Sequence, residues 1–270
     1  MKLLAADYDS TLYTSRNGIK LNIPAIKKFR ENGNKFVIAT GRTFESIKKE
    51  INYYNIPYDY LSCNDGTVIF DSKNNLISTK YLNKFEINDI SYYLNAFKKV
   101  GYIKKIIFYN EYKNILDCID EHNENIVEIG AQLNIFKDPH KLIEEMKELF
   151  HTIEVYKYPN IIFIKKPKNK SNAVTEIAKI ENIQPNNVFT VGDGKNDLEM
   201  VRDFNGYNML FSHPDLYKVS TGTVTSVRQL IKKINKWVIM THLFAFQIDY
   251  YINCNKILFS LIIHCDYLVL

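Results

Sequence analysis

Two carboxylates stand one residue apart in Ala5-Ala6-Asp7-Tyr8-Asp9-Ser10-Thr11-Leu12, where an apolar run gives out. Residues two apart on an extended chain point the same way, so Asp7 and Asp9 can face one pocket. Such a pair can hold a hard cation through its oxygens. It can also divide acid and base roles between carboxyls of unequal pKa. A polar turn that happens to be acidic is the plain alternative, and for an isolated Asp-x-Asp it is the commoner one. Three further stretches bear on the choice. Thr40-Gly41-Arg42 ends a second apolar run, and a hydroxyl with backbone N–H groups at a strand-to-helix turn can hold a phosphate. Gly192-Asp193-Gly194-Lys195-Asn196-Asp197 ends a third run with two glycines, two aspartates and an asparagine, which packing does not require. This is no nucleotide P-loop, because the glycine spacing is wrong and no Ser or Thr follows the lysine. Lys170 lies among Lys165, Lys166 and Lys168 and by itself reads as a solvated lysine.

The elements that position these residues follow from the apolar runs. Leu3–Ala6, Phe36–Ala39 and Val188–Val191 are continuous and short, as suits strands buried on both faces of a parallel sheet. Helices are expected between them. One runs from Pro24 to Asn32, with Pro near its start and Gly33 past its end. A second is capped by Thr43 and runs to Tyr54. A third is capped by Ser171 and carries Ala173, Val174, Ile177 and Ala178 on one face. Alternating strands and helices predict an α/β fold with a doubly wound, mostly parallel sheet, in which ligands bind beyond the carboxyl ends of the strands. All three polar terminations then share one edge. Tyr60–Cys63 reads as another core strand, followed by a hairpin turning at Lys73-Asn74-Asn75.

Beyond about residue 83 the pattern changes. Helical stretches at Ile87–Lys99 and Pro139–Phe150 mix with short strands at Ile106–Tyr109, Ile153–Tyr156 and Ile161–Ile164. The expected organisation is a core made of residues 1–82 and 166–236, an inserted α+β cap over 83–165, and an apolar C-terminal extension over 237–270. That extension is expected to pack on the core or to be a non-native addition rather than to meet a membrane.

Composition narrows the class. Of 270 residues, 46% are hydrophobic and 24% charged, ordinary for a globular chain with a sizeable core. The net charge of +5 is spread along the chain, which argues against a nucleic-acid footprint and leaves mild steering of anionic substrates. Four cysteines without CxxC spacing suggest reduced thiols and a cytoplasmic setting. The apolar start is too short for a signal peptide, and no run reaches the roughly 20 residues of a membrane span.

Taken in order, these motifs resemble those of the haloacid dehalogenase (HAD) superfamily, in its Cof-type sugar-phosphatase-like branch with a large cap. Asp7-Tyr8-Asp9-Ser10-Thr11 resembles the first family motif, Asp-x-Asp-Gly-Thr, with Ser10 in place of glycine. Thr40-Gly41-Arg42 resembles the second. Lys170, at the expected distance before Gly192–Asp197, resembles the third, and Gly192–Asp197 the fourth. Cys63-Asn64-Asp65-Gly66 resembles the loop after the third strand, which makes Asn64 and Gly66 candidate substrate-loop residues. One departure falls at Phe211-Ser212-His213-Pro214, where the branch has a Gly-Asn-Ala turn; His213 is not counted in the site.

The resemblance implies a Mg²⁺-dependent phosphomonoesterase acting on a small phosphorylated metabolite, such as a sugar phosphate. Asp7 would be the nucleophile and form an aspartyl-phosphate. Asp9 would protonate the leaving oxygen and then deprotonate water. Mg²⁺ would be held by the Asp7 carboxylate, the Asp9 backbone carbonyl and Asp193. Thr40, Gly41 and Lys170 would bind the phosphate, and Asn196 and Asp197 would orient the metal shell or the lysine. A phosphomutase and a catalytically silent phosphate-binding protein are the alternatives on this scaffold. A response-regulator-like switch is disfavoured by motif order and chain length.

Overall fold

The computed structural model describes residues 1–112, 115–116, 125–134, 138–157 and 159–235. The apolar extension read over 237–270 lies outside them. The chain divides into two compact units, Met1–Val227 and Arg228–Leu270. In the second, residues 228–235 are helical. Every strand among the described residues belongs to the first unit.

The three short apolar runs are strands. They are β1 (Leu3–Ala6), β2 (Lys35–Ala39) and β11 (Val188–Gly192), and β1 pairs in parallel with both of the others. Leu3, Ala5, Val37 and Ala39 pack with Ala173, Val174 and Ile177 on one face. The alternate residues Leu4, Phe36 and Ile38 are also fully buried. Neither face meets solvent, which is why these strands run apolar without alternation.

The remaining core strands are β3 (Tyr60–Cys63), β4 (Val68–Asp71), β5 (Leu76–Thr79), β12 (Asn205–Met209) and β13 (Gly222–Val224). The eight-stranded sheet has the order β13-β12-β11-β1-β2-β3-β4-β5, parallel except for the hairpin of β4 and β5. The chain leaves β1 toward β2 on one side, and its later half returns to β11 on the other. The strand order therefore switches at β1, where an open sheet leaves a crevice beyond the strand ends.

A second, antiparallel sheet lies between the two halves of the first in sequence. Its strands are β6 (Ile103–Tyr109), β7 (Ile115–Leu116), β8 (Glu128–Leu133), β9 (Glu154–Lys157) and β10 (Ile161–Lys165), in the order β7-β6-β8-β10-β9. Ile129, Ile162 and Ile164 share a core with Ile87, Ile90 and Leu94 of α3 (Lys84–Lys99) and with Leu142 and Met146 of α4 (His140–Leu149). The mixed α/β architecture is thus the expected one. β8 and β12, with polar residues inside them, escaped the sequence reading.

Two helix starts differ from expectation. The helix placed at Pro24–Asn32 is α1 (Arg16–Glu31), begun by the Ser15 hydroxyl accepting from the Gly18 N–H, with Pro24 inside it. Proline there removes one donor to the Lys20 carbonyl; Lys20 is exposed, so water can serve that oxygen. α5 (Lys170–Ile180) is capped by Asn169 rather than Ser171, in a reciprocal bond pair with Asn172. By contrast, α2 (Phe44–Tyr54) begins on the Thr43 hydroxyl, as expected. No helix among the described residues is long and apolar enough to cross a membrane.

Candidate active site

Asp7 is the first residue past β1, at the switch point, and its N–H continues the ladder by donating to the Val191 carbonyl. The chain then turns back, Leu12 and Tyr13 donating to the Asp7 and Tyr8 carbonyls. Ser10 sits in this turn at φ 61°. That left-handed conformation is one a glycine accepts without strain, which explains the family glycine at this place.

Around Asp7 the structure gathers the residues that end β11 and begin α5. The Lys170 ammonium, 1% exposed, donates to Asp7 Oδ1 at 2.5 Å and to Asp197 Oδ1 at 2.6 Å. Asp197 Oδ2 accepts from the N–H groups of Asp193 and Gly194, at 3.0 and 2.9 Å. Asp193 Oδ1 accepts from the Thr11 hydroxyl at 2.7 Å. Two glycines permit this crowding. A Cβ on Gly192 would lie 2.4 Å from the Asp197 side chain. Gly66, at φ +92°, backs onto the Asn169 carbonyl, where a Cβ would fall at 2.1 Å. The glycine thus lets this loop pack closely against the backbone that enters α5 at Lys170.

The electrostatics follow from burial and repulsion. Burial, with Asp197 and Asp193 adding, lifts the Asp7 carboxyl well above the ordinary aspartate range against the pull of Lys170. Asp193 is raised by burial too, the Thr11 hydrogen bond opposing. Burial alone would strip the charge from Lys170, but Asp197, Asp7 and Asp65 outweigh it and hold the ammonium protonated.

Three carboxylate oxygens, from Asp7, Asp193 and Asp197, lie within 4.8 Å of one another. An all-oxygen cluster whose acids repel one another is the donor set of a hard divalent cation, so these residues fit Mg²⁺. Asp197 already accepts three hydrogen bonds, which leaves Asp7 and Asp193 the better placed pair.

Asp9 is turned elsewhere. Its carboxylate takes a two-pronged bond from Arg42, at 2.6 and 2.9 Å, and its side chain is 53% exposed. Arg42 is steadied in turn by Glu50 and by the Tyr8 ring, 5.0 Å from the guanidinium. Thr40 is fully buried at the end of β2, its hydroxyl accepting from the Arg42 N–H. Asn64 is buried, and its carbonyl accepts from Lys165. Asn196 donates to Asp65 at 2.8 Å. The His213 N–H donates to the Asp193 carbonyl while its imidazole faces Asp215.

A cavity of about 630 Å³ opens beside Asp7. Asp7, Asp9, Gly41, Arg42, Asp193 and Asp197 line it from the eight-stranded sheet, and Tyr156, Lys157 and Phe163 from the second sheet. Sequence reasoning missed Thr11, Arg42 and Asp65, although each sits inside one of the motifs. It also missed Tyr156, Lys157 and Phe163, for which no motif exists.

Comparison with known proteins gives a consistent picture. Residues 4–229 match the family model of haloacid dehalogenase-like hydrolases. An uncharacterized protein of Mycoplasma capricolum is 28% identical over 229 residues, covering 82% of this chain and 75% of that one. A Mycoplasma pneumoniae protein provisionally named a phosphatase is 24% identical over 249 residues, covering 80% and 84%. Among solved structures, a sugar phosphatase of HAD subclass IIB superposes with a TM-score of 0.65 at 19% identity, covering 88% of this chain and 100% of that one.

Proposed function

The chain belongs to the haloacid dehalogenase-like hydrolase family, and on that premise we propose that it is a phosphatase of small phosphomonoesters working through Asp7. The observation that carries this reading is the buried Asp7 beside Lys170, Asp193 and Asp197 at the switch point of the sheet. The names of the M. pneumoniae relative and of the subclass IIB sugar phosphatase support the same class.

In this reading an Asp7 carboxylate oxygen attacks phosphorus and the ester P–O bond breaks. Asp9 gives its proton to the departing alcohol oxygen. Water then attacks the phosphorus of the aspartyl-phosphate, Asp9 takes the water's proton, and inorganic phosphate leaves Asp7 free. The net change is ester plus water to alcohol plus phosphate. Dividing one displacement into two lowers each barrier. Asp7 and Asp193, with the Asp9 main-chain carbonyl, would hold Mg²⁺, which when bound supplies positive charge against both nucleophile and phosphate. Lys170, fixed between Asp7 and Asp197, offers a permanent cation to the phosphoryl oxygens. Thr40 and Gly41 bring their hydroxyl and backbone N–H to the same group, as helix-entry turns do. Asp197 and Asn196 keep Lys170 and the Asp65 loop in place. Asp9 reaches the leaving group by exchanging the Arg42 contact for the substrate. Residues 83–165 act as the cap over this site.

The test is phosphate release from a panel of phosphorylated metabolites, with Mg²⁺ and after chelation. Release that needs Mg²⁺ and falls by about 10³-fold or more in Asp7→Asn is the expected result. Metal-independent release, or full activity in Asp7→Asn, contradicts it. Isomerised ester in place of free phosphate marks a phosphomutase instead.

A further inference from the structure

Arg42 occupies both oxygens of the Asp9 carboxylate, so Asp9 can turn toward a leaving oxygen only by giving up at least one bond of that pair. The Arg42 main chain is not free to follow it. Its N–H donates to the Thr40 hydroxyl at 3.1 Å, and its carbonyl accepts from the Asn64 N–H at 3.0 Å. The Arg42 side chain is only 30% exposed, and a partly buried cation that loses its anion is left uncompensated. The anion that remains for it is Glu50.

Glu50 lies on α2, about two turns beyond the Thr43 cap, and belongs to none of the motifs read from the sequence. Its two oxygens are divided between the turns that follow β1 and β2. Oε2 accepts from the Tyr8 hydroxyl at 3.1 Å, and Oε1 accepts from Arg42 Nη1 at 3.4 Å. Asp9 takes the other nitrogens, Nε and Nη2, so the two acids do not compete for one N–H group. Tyr8 stands between Asp7 and Asp9 in the chain, is fully buried, and stacks on Tyr13 with centroids 5.9 Å apart. A well-packed phenol therefore holds Glu50 in reach of the guanidinium whatever Asp9 does.

We propose that Glu50 is a positioning residue acting through Arg42: it keeps the guanidinium paired and in place while Asp9 exchanges Arg42 for the substrate. The inference rests on the phosphatase reading of Asp7 and adds the counter-charge that makes the Asp9 exchange possible. With Glu50 present, one cation is shared by two anions, and the departure of Asp9 leaves it paired. With Glu50 neutralised, Arg42 belongs to Asp9 alone, and turning Asp9 away strands a charge. A carboxylate that merely steadied α2 would not depend on Arg42 in this way.

The experiment reads kcat/KM for glycerol 3-phosphate and for 4-nitrophenyl phosphate, because that quantity covers the step in which the ester bond breaks. The alkyl leaving oxygen needs the Asp9 proton, and the aryl one needs little help. Glu50→Gln should lower the alkyl value about tenfold and the aryl value by less than about threefold, whereas general damage to the site lowers both alike. Placed on Arg42→Met, the same substitution should keep the alkyl-to-aryl ratio within about twofold of that of Arg42→Met alone, since a residue acting through Arg42 then has nothing to act on. Equal falls on the two esters, or the same loss of ratio with and without Arg42, overturns the proposal. If Arg42→Met releases no phosphate, the ratio in Glu50→Gln alone decides. Should the wild type release phosphate from neither ester nor from any of the metabolite panel, the phosphatase reading fails, and thermal melting judges the shared cation by itself. Asp9→Asn should then lower the melting temperature by about two degrees more in Glu50→Gln than in the wild type, because only there does it leave Arg42 without an anion. An equal or smaller fall overturns it.

Discussion

Asp7 and Asp9 are two residues apart and the fold gives them different surroundings. Asp7 is buried against Lys170, while Asp9 is half in solvent and clasped by Arg42. In the proposed mechanism the burial keeps Asp7 in place beside its cation, and the exposure leaves Asp9 room to turn toward a leaving group. This difference leads to a test of Asp9 by leaving group. Asp9→Asn should lower kcat on an alkyl phosphate by about 10²–10⁴-fold, because the alkoxide then departs without a proton. On an aryl phosphate, whose leaving oxygen needs little help, the fall should be far smaller. Equal falls on both esters, read by steady-state kinetics, would remove Asp9 from that role. Asp7 and Asp193 could be singled out in the sequence because acids ending apolar runs on one predicted edge have no packing reason to be there, whereas Lys170 by itself read as a solvated lysine and was picked out only by the family resemblance. The partner of Asp9 was not legible, because pairing Arg42 with Asp9 requires the turn after β2 to meet the turn after β1.

Between elements, the segment leaving β10 is tied to α3 by a three-way contact. Glu86 at the start of α3 accepts from Lys166, from the Thr152 hydroxyl at 2.6 Å, and from the Asn83 N–H at 2.9 Å. Burial alone would raise this carboxyl, but those bonds outweigh it and hold it below the ordinary glutamate range. A carboxyl depressed in the folded state adds stability that is complete above its unfolded pKa and is lost as pH falls through the folded value. Melting curves of the wild type and Glu86→Gln should therefore be separated by a few degrees at neutral pH, for about 1 kcal/mol. They should converge on acidification from about pH 4.5 to below about pH 3. A separation that does not change with pH would show that the bonds do not depend on the charge. Helix ends were the hardest features to read. Pro24 has the signature of a first-turn proline, yet Ser15 supplies a better start and the exposed face tolerates the missing bond. Ser171 and Asn169 are both capping types, and only the reciprocal bond with Asn172 decides for Asn169.

For the molecule as a whole, the eight-stranded sheet brings the ends of β1, β2 and β11 to one edge, and this much was written in three apolar runs with polar terminations. The wall of Tyr156 and Phe163 was not, since residues about 150 positions beyond Asp7 reach its cavity only through the packing of two sheets. In sequence they are ordinary strand aromatics. Everything proposed for this protein depends on Asp7 being the group that takes the phosphoryl. That can be tested by quenching the turning-over enzyme in acid, reducing with borohydride, and sequencing the peptide carrying Asp7 by mass spectrometry. An acyl phosphate at Asp7 is reduced to homoserine at that one position, in substrate-treated enzyme and not in substrate-free enzyme, and this is the predicted result. Steady phosphate release with Asp7 recovered only as aspartate would contradict it.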